Sequence, residues 1–173
     1  AEPQNWLIPF GNYSSHRYST LNEINRDNVA DLHVAFAVPL IPQMPGVRGG
    51  GMQGTPRVDD GIMYMVDGVG VVYRIDVSSG RQGYINWIMD PDTDPEIPGL
   101  FNNKGVALLG DNVYSVTPDG YLIATNAASG EVLWQVATQQ DPDEDFTMAP
   151  MALDGMIIMG PRGDTPMRGR LEA

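Results

Sequence analysis

Two stretches of this chain repeat one another fifty residues apart, and no other feature restricts the fold as much. Asp60-Gly61-Ile62-Met63-Tyr64 is followed by Asp67-Gly68, then by Val71-Val72-Tyr73-Arg74-Ile75-Asp76, then by Ser78-Ser79-Gly80. In the second copy Asp111-Asn112-Val113-Tyr114 leads to Asp119-Gly120, to Tyr121-Leu122-Ile123-Ala124-Thr125-Asn126 and to Ala128-Ser129-Gly130. A third copy opens after Pro150, where Met151 to Ile158 echoes Arg57 to Tyr64. Each copy places a short apolar run before a Gly or Asp-Gly turn, a second run before a Ser-Gly turn, and an aromatic run at its close. Asp-Gly between apolar runs signals a hairpin, because the tight turn needs positive φ. A period of roughly 40–50 residues with about four strands per unit is the spacing of propeller blades, not of ankyrin or leucine-rich repeats. The chain therefore reads as all-β. Helical periodicity is weak throughout, and Leu21 to Leu32 comes nearest to it.

Propeller blades close into a ring so that no sheet edge stays open. Residues 1–173 supply about three four-stranded blades, so they read as the N-terminal segment of one propeller domain that further polypeptide completes. The expected partner is that remaining propeller polypeptide, as a second chain or a cleaved fragment.

Composition then excludes whole classes of function. The formal charge is −12 with ten basic residues, which leaves no basic stripe for a nucleic acid. An acidic surface suits a soluble protein and would steer a basic partner towards it. Without cysteine there is neither a disulfide nor a thiolate metal site. No apolar stretch approaches the ~18 residues that read as a membrane span. The start at Ala1-Glu2-Pro3 fits cleavage after a small-residue signal site, so an exported, periplasmic location is expected.

Ala124-Thr125-Asn126-Ala127-Ala128-Ser129-Gly130-Glu131-Val132-Leu133-Trp134 resembles the tryptophan-docking motif of quinoprotein dehydrogenases, with Asn126 for the Asp and Ser129 for the Thr of that pattern. The earlier copy, from Arg74 through Asp76, Ser79 and Gly80 to Tyr84, is degenerate, with Tyr84 read in the place of the Trp. The N-terminal residues Asn5-Trp6, Gly11, Ser14 to Ser19, Leu21, Ile24 to Val29 and Leu32 resemble the opening of the mature quinoprotein alcohol dehydrogenases. Together these motifs extend the resemblance over essentially the whole chain.

The resemblance implies an eight-bladed propeller holding pyrroloquinoline quinone and a Ca²⁺ or lanthanide ion on its axis. It implies oxidation of a small alcohol, with electrons passing to a cytochrome c-type acceptor, and it leaves room for a haem c domain downstream. It carries Gln53 onto a Glu that hydrogen-bonds the quinone, and Lys104 onto an Arg beside the quinone oxygens. Thr147 falls on a Thr at the cofactor carboxylates, and Asp164 on a Glu that ligates the metal. The family's catalytic base lies beyond residue 173, so no catalytic residue is expected in this segment.

There are departures from the family pattern. The adjacent cysteines expected shortly before Lys104 are replaced by Gly99-Leu100-Phe101-Asn102-Asn103, where Phe101 offers a stacking face instead. Gln at 53 keeps hydrogen bonding but loses charge, and Asp at 164 shortens the arm to the metal. A propeller that has lost its cofactor and serves as a binding scaffold is the competing reading.

Chemistry alone adds weight to some of these positions. Lys104, the sole lysine, can stabilise negative charge developing on a reduced quinone. Asp164 offers the hard oxygen that Ca²⁺ prefers, although a turn Asp also bonds its own backbone. The acidic loops Asp90 to Asp94 and Asp141 to Asp145 lack the Gly and Glu of an EF-hand and read as solvated surface. His16 and His33 read as isolated structural or surface residues. Met148, Met151, Met156 and Met159 read as adaptable core filling.

Overall fold

The computed structural model describes residues 4–40, 51–94, 102–141, 144–162 and 169–173. Among the described residues ten strands form two complete four-stranded meanders and one hairpin, all antiparallel. The first meander contains β1 (Arg57–Asp59), β2 (Ile62–Val66), β3 (Val72–Asp76) and β4 (Tyr84–Met89). The second contains β5 (Ala107–Leu109), β6 (Asn112–Val116), β7 (Tyr121–Asn126) and β8 (Val132–Ala137). The hairpin of β9 (Met151–Leu153) and β10 (Met156–Ile158) begins a third blade. Helical structure among the described residues is one 3-10 turn, Val29–Asp31, inside the segment with the nearest helical periodicity.

The turns follow from local chemistry. Asp59 pairs with Ile62 across the two-residue loop Asp60-Gly61, whose φ values are 46° and 75°. The same geometry recurs at Asp154-Gly155. Asp tolerates the left-handed region and Gly enters it freely, which is why this dipeptide closes the hairpin. After β3, Asp76 Oδ1 accepts from the Ser78 N–H at 2.9 Å; after β7, Asn126 Oδ1 accepts from the Ala128 and Ser129 N–H groups at 3.0 and 2.9 Å.

Alternation along the middle strands explains why they read as nearly continuous apolar runs. Tyr64, Val66 and Val72 of the first blade pack against Val106, Val113 and Ile123 of the second. The opposite face of the second blade, with Tyr114, Val116, Leu122 and Ala124, packs on Phe146, Met159, Ala152 and Ile157. The first blade's other face, with Val71, Tyr73 and Ile75, is covered by Val38 and Leu40 from the N-terminal segment. A central strand thus has both faces buried, as a sheet stacked between two neighbours requires. The sheets stack as successive blades, as expected, and do not close into a ring.

The β4 register corrects the position of the first docking aromatic. Trp87 pairs with Arg74 just as Trp134 pairs with Ala124, and both lie one residue past a bulge. Tyr84 instead pairs with Asp76, at the start of the strand. Four residues separate Gly130 from Trp134 but seven separate Gly80 from Trp87, so a fixed period misses the indole by three positions.

The second acidic loop also differs from the expectation of a solvated surface. Glu144 and Asp145 are buried and paired, Glu144 with Arg170 and Asp145 with Arg162 at 2.9 Å. In the first loop Asp90, Asp92 and Asp94 are exposed while Thr93 is buried, its hydroxyl donating to the Val69 carbonyl at 2.8 Å. The methionine expectation holds for buried Met159, whereas Met151 and Met156 are exposed on the last hairpin. His16 and His33 are exposed.

Candidate functional site

The segments leading into the inner strands of the three blades run side by side. Met52 forms a parallel bridge with Asn103. The Thr55 N–H donates to the Lys104 carbonyl at 3.3 Å, and the Lys104 N–H donates to the Thr147 carbonyl at 3.0 Å. Lys104 is therefore the middle rung of a short ladder linking the first blade to the third. A side chain at Gly54 would place its Cβ 3.3 Å from the Gly105 nitrogen, so a bare backbone there lets adjacent segments close up.

Asparagines fix the loop that carries Lys104. Asn103 is fully buried; its Nδ2 donates to the Val116 carbonyl at 2.7 Å and its Oδ1 accepts from the Gly105 N–H at 3.0 Å. Asn102 Oδ1 accepts from the Gly51 N–H at 3.0 Å, tying this loop to the one before Gln53. Sequence reasoning passed over both residues. Their signal was the Asn-Asn pair itself, since Asn side chains commonly replace missing backbone partners in loops.

The ladder borders a cavity of about 630 Å³ whose lining includes Gln53, Thr55, Lys104, Met148, Ala149, Phe10 and Arg17. Gln53 and Lys104 are exposed to it. Thr147 is buried next to the lining residue Met148. Arg17 adds a second cation, its guanidinium carbon 4.7 Å from the centre of the Phe10 ring. Gln53, Lys104 and Thr147, named separately from the sequence, are thus brought to one place. Asp164 and Phe101 lie outside the described residues. Among the described residues no three His, Asp or Glu side chains converge as a metal site.

A third cation lies against the ladder. Arg57, the first residue of β1, is 1% exposed, and its Nη1 donates to the Thr55 carbonyl at 2.8 Å. Burial alone brings its pKa down to about 10, so it stays charged at neutral pH. From sequence it was only one position in the repeat of an inner strand.

Stacked four-stranded meanders with their inner-strand starts gathered beside one cavity define a β-propeller repeat array. A family profile described as "Outer membrane protein assembly factor BamB" (PQQ_2) matches residues 47–160. The chain belongs to this family of PQQ-type propellers, and its similarity within it is to the quinoprotein alcohol dehydrogenases. It is 35% identical over 180 residues to quinohemoprotein alcohol dehydrogenase from Comamonas testosteroni, covering 100% of this chain and 24% of that protein. It is 33% identical over 168 residues to quinohemoprotein alcohol dehydrogenase ADH-IIG from Pseudomonas putida, covering 94% of this chain and 22% of the relative. The solved structure of ADH-IIG superposes with a TM-score of 0.87 at 32% identity, over 98% of this chain and 25% of that one. A europium-containing methanol dehydrogenase superposes with a TM-score of 0.82 at 28% identity, over 98% of this chain and 30% of that one. The chain thus spans about a quarter of the length of the curated relatives it matches.

Proposed function

We propose that these residues form one sector of the cofactor socket of a quinoprotein dehydrogenase that oxidises an alcohol-type substrate. The carrying observation is the ladder through Thr55, Lys104 and Thr147, which runs beside a cavity lined by the Lys104 cation and the Gln53 amide, with Thr147 buried next to the lining residue Met148. Names of the similar proteins support the reaction class. They include quinohemoprotein alcohol dehydrogenases and a methanol dehydrogenase.

The donor set fits pyrroloquinoline quinone, a flat and strongly anionic molecule. The Lys104 ammonium supplies a charge-assisted hydrogen bond, Gln53 supplies amide donors and an acceptor, and Thr147 supplies a hydroxyl. When bound, the quinone supplies the two-electron acceptor chemistry. Lys104 then holds positive charge where negative charge grows on reduction, an electrostatic role that a preorganised loop performs without rearranging. Asn103 and Asn102 provide that preorganisation through their backbone contacts. Met148 and Ala149 contribute apolar wall to the same cavity.

Asp164 is proposed as an oxygen ligand for Ca²⁺ or a lanthanide, in keeping with the europium of the methanol dehydrogenase. The proton-abstracting base, the rest of the ring and any haem c come from polypeptide other than residues 1–173. A cytochrome c-type protein would take the electrons. The proposed setting is the periplasm.

The test is titration of the intact protein that contains this chain with pyrroloquinoline quinone plus Ca²⁺ or a lanthanide. Saturable uptake with quinone absorbance and alcohol-dependent dye reduction is expected. No uptake with either metal would reassign the fold as a cofactor-less propeller acting as a scaffold.

A further inference from the structure

We propose that Arg57 is an electrostatic positioning residue for an anionic quinone, acting from its place against the strand-start ladder without touching the cofactor. The inference rests on the cofactor reading above and adds a residue to it.

The internal repeat shows that the fold does not require an arginine here. Arg57 pairs with Tyr64 on β2, and the residue in the same register of the second blade is Ala107, opposite Tyr114. In the third blade it is Met151, opposite Ile158. Two blades therefore place an apolar residue at the position that the first gives to a cation.

The side chain is costly where it lies. One guanidinium nitrogen reaches the Thr55 carbonyl, while Nε and Nη2 are buried without a hydrogen-bond partner. A buried charge left uncompensated is strongly unfavourable, and an apolar side chain of similar volume is often as stable or more so. Such a residue persists when something outside the described packing offsets its charge.

Its position indicates what that is. The acceptor residue Thr55 lines the cavity and bonds Lys104 through its own N–H. Nη2 also lies against Gly105, where a Cβ would be 3.4 Å away. The charge is thus lodged within one residue of two rungs of the ladder, and Arg57 is not among the residues that line the cavity. A polyanion bound against Lys104 would feel Arg57 through protein and not through water, so the attraction is screened far less than on a surface. Because reduction adds negative charge to the quinone, the same cation also raises its midpoint potential.

Three variants of the intact protein separate charge from hydrogen bonding and from packing: Arg57→Met, Arg57→Gln and Arg57→Lys. Each apoprotein is titrated with pyrroloquinoline quinone at fixed Ca²⁺, and the potential of the bound quinone is measured. Removing a charge at this depth weakens binding roughly tenfold in R57M and R57Q and lowers the potential, while R57K stays close to wild type. The R57M apoprotein melts at or above wild type, which a purely structural strut would not allow. Wild-type affinity and potential in R57M or R57Q would overturn the inference while leaving the cofactor reading intact. Melting of R57M well below wild type, with R57Q binding normally, would make Arg57 a strut. Failure of the wild-type protein itself to take up quinone would instead strike the cofactor reading, and this inference with it.

Discussion

The indole of Trp87 lies on the backbone of Gly130 in the next blade, and its Nε1 donates to the Ala127 carbonyl at 3.1 Å. A Cβ at Gly130 would fall 2.8 Å from two atoms of the ring, at a backbone φ of +78°. Gly80 closes the equivalent turn one repeat earlier, with φ +63° and nothing within 4 Å of its Cβ position. The two glycines share the left-handed backbone and differ in the ring lying above one of them.

Gly130→Ala and Gly80→Ala therefore form a matched pair. The backbone penalty at a left-handed position is about 1–2 kcal/mol, and G80A should cost about that much. G130A adds overpacking against an indole that is also hydrogen-bonded, typically a further ~1–3 kcal/mol. Chemical denaturation of both variants checks the difference. Equal losses would show that the docked ring does not hold the two blades together.

Burial of Glu144 predicts a large effect within a loop that looks like acidic surface. Its carboxylate pairs with Arg170 and accepts from the Gln140 N–H at 2.8 Å, with its side chain 4% exposed. Glu144→Ala removes one of the two carboxylates paired with Arg170, leaving Glu172, and takes the acceptor from the Gln140 N–H. Removing one member of a buried pair costs about 3–5 kcal/mol, and the partial exposure of Arg170 places this case at the lower end. Glu131→Ala, on the exposed turn before β8, should stay within about 0.5 kcal/mol of wild type. Thermal melts of the two variants check both values.

How much of this was legible in the sequence depends on the range of each signal. The blades were legible because Asp60-Gly61 and Asp154-Gly155 close hairpins through local backbone preference, and because alternation is a period-two signal. Trp87 was missed because three extra residues after Gly80 shift the indole off the fifty-residue period, onto which Tyr84 happens to fall. Burial of Glu144 was not legible because its partner Arg170 is twenty-six residues further on. Gln53, Lys104 and Thr147 were named through resemblance alone. Only the ladder places their backbones side by side, since hydrogen bonds between blades leave no local trace. Arg57 was missed for the opposite reason: a charge in a strand reads as its solvent face, yet here it points between sheets.

Asp67 gives the turn after β2 a pH dependence. Its Oδ1 accepts from the Val69 and Val71 N–H groups at 3.0 and 2.9 Å, and the Tyr73 hydroxyl donates to Oδ2 at 3.3 Å. Burial raises the carboxyl above its usual range, with these hydrogen bonds pulling the other way. The native state then holds the proton at pH values where the unfolded chain, at about 3.9, has released it, so this group's contribution to stability falls as pH rises through that window. Asp67→Asn keeps an acceptor for both N–H groups and removes the charge. It should melt at or above wild type at pH 7 and lose that part of the downward slope just above pH 4. Asp67→Ala leaves both donors without their acceptor and should cost about 1–3 kcal/mol at all pH values. Melting temperatures across the acid range, plotted as the difference from wild type, check the sign. A difference that grows in favour of wild type as pH rises would overturn it.

Lys104 predicts a change in binding with little change in folding. Its backbone carries the ladder through N–H and carbonyl, whereas its side chain is exposed to the cavity, so Lys104→Met leaves the ladder intact. Stability should stay within about 0.5 kcal/mol, as for other exposed substitutions. A charge-assisted hydrogen bond contributes about 1.5–3 kcal/mol, so K104M should weaken pyrroloquinoline quinone binding roughly 10–100-fold. Lys104→Arg keeps the charge with a forked donor and should retain most of the affinity. Raising ionic strength should weaken the wild type more than K104M, because one source of attraction is already gone from the variant. Equal salt sensitivity in the two proteins would place the ammonium away from the bound anion, and Lys104 would then act only through its backbone.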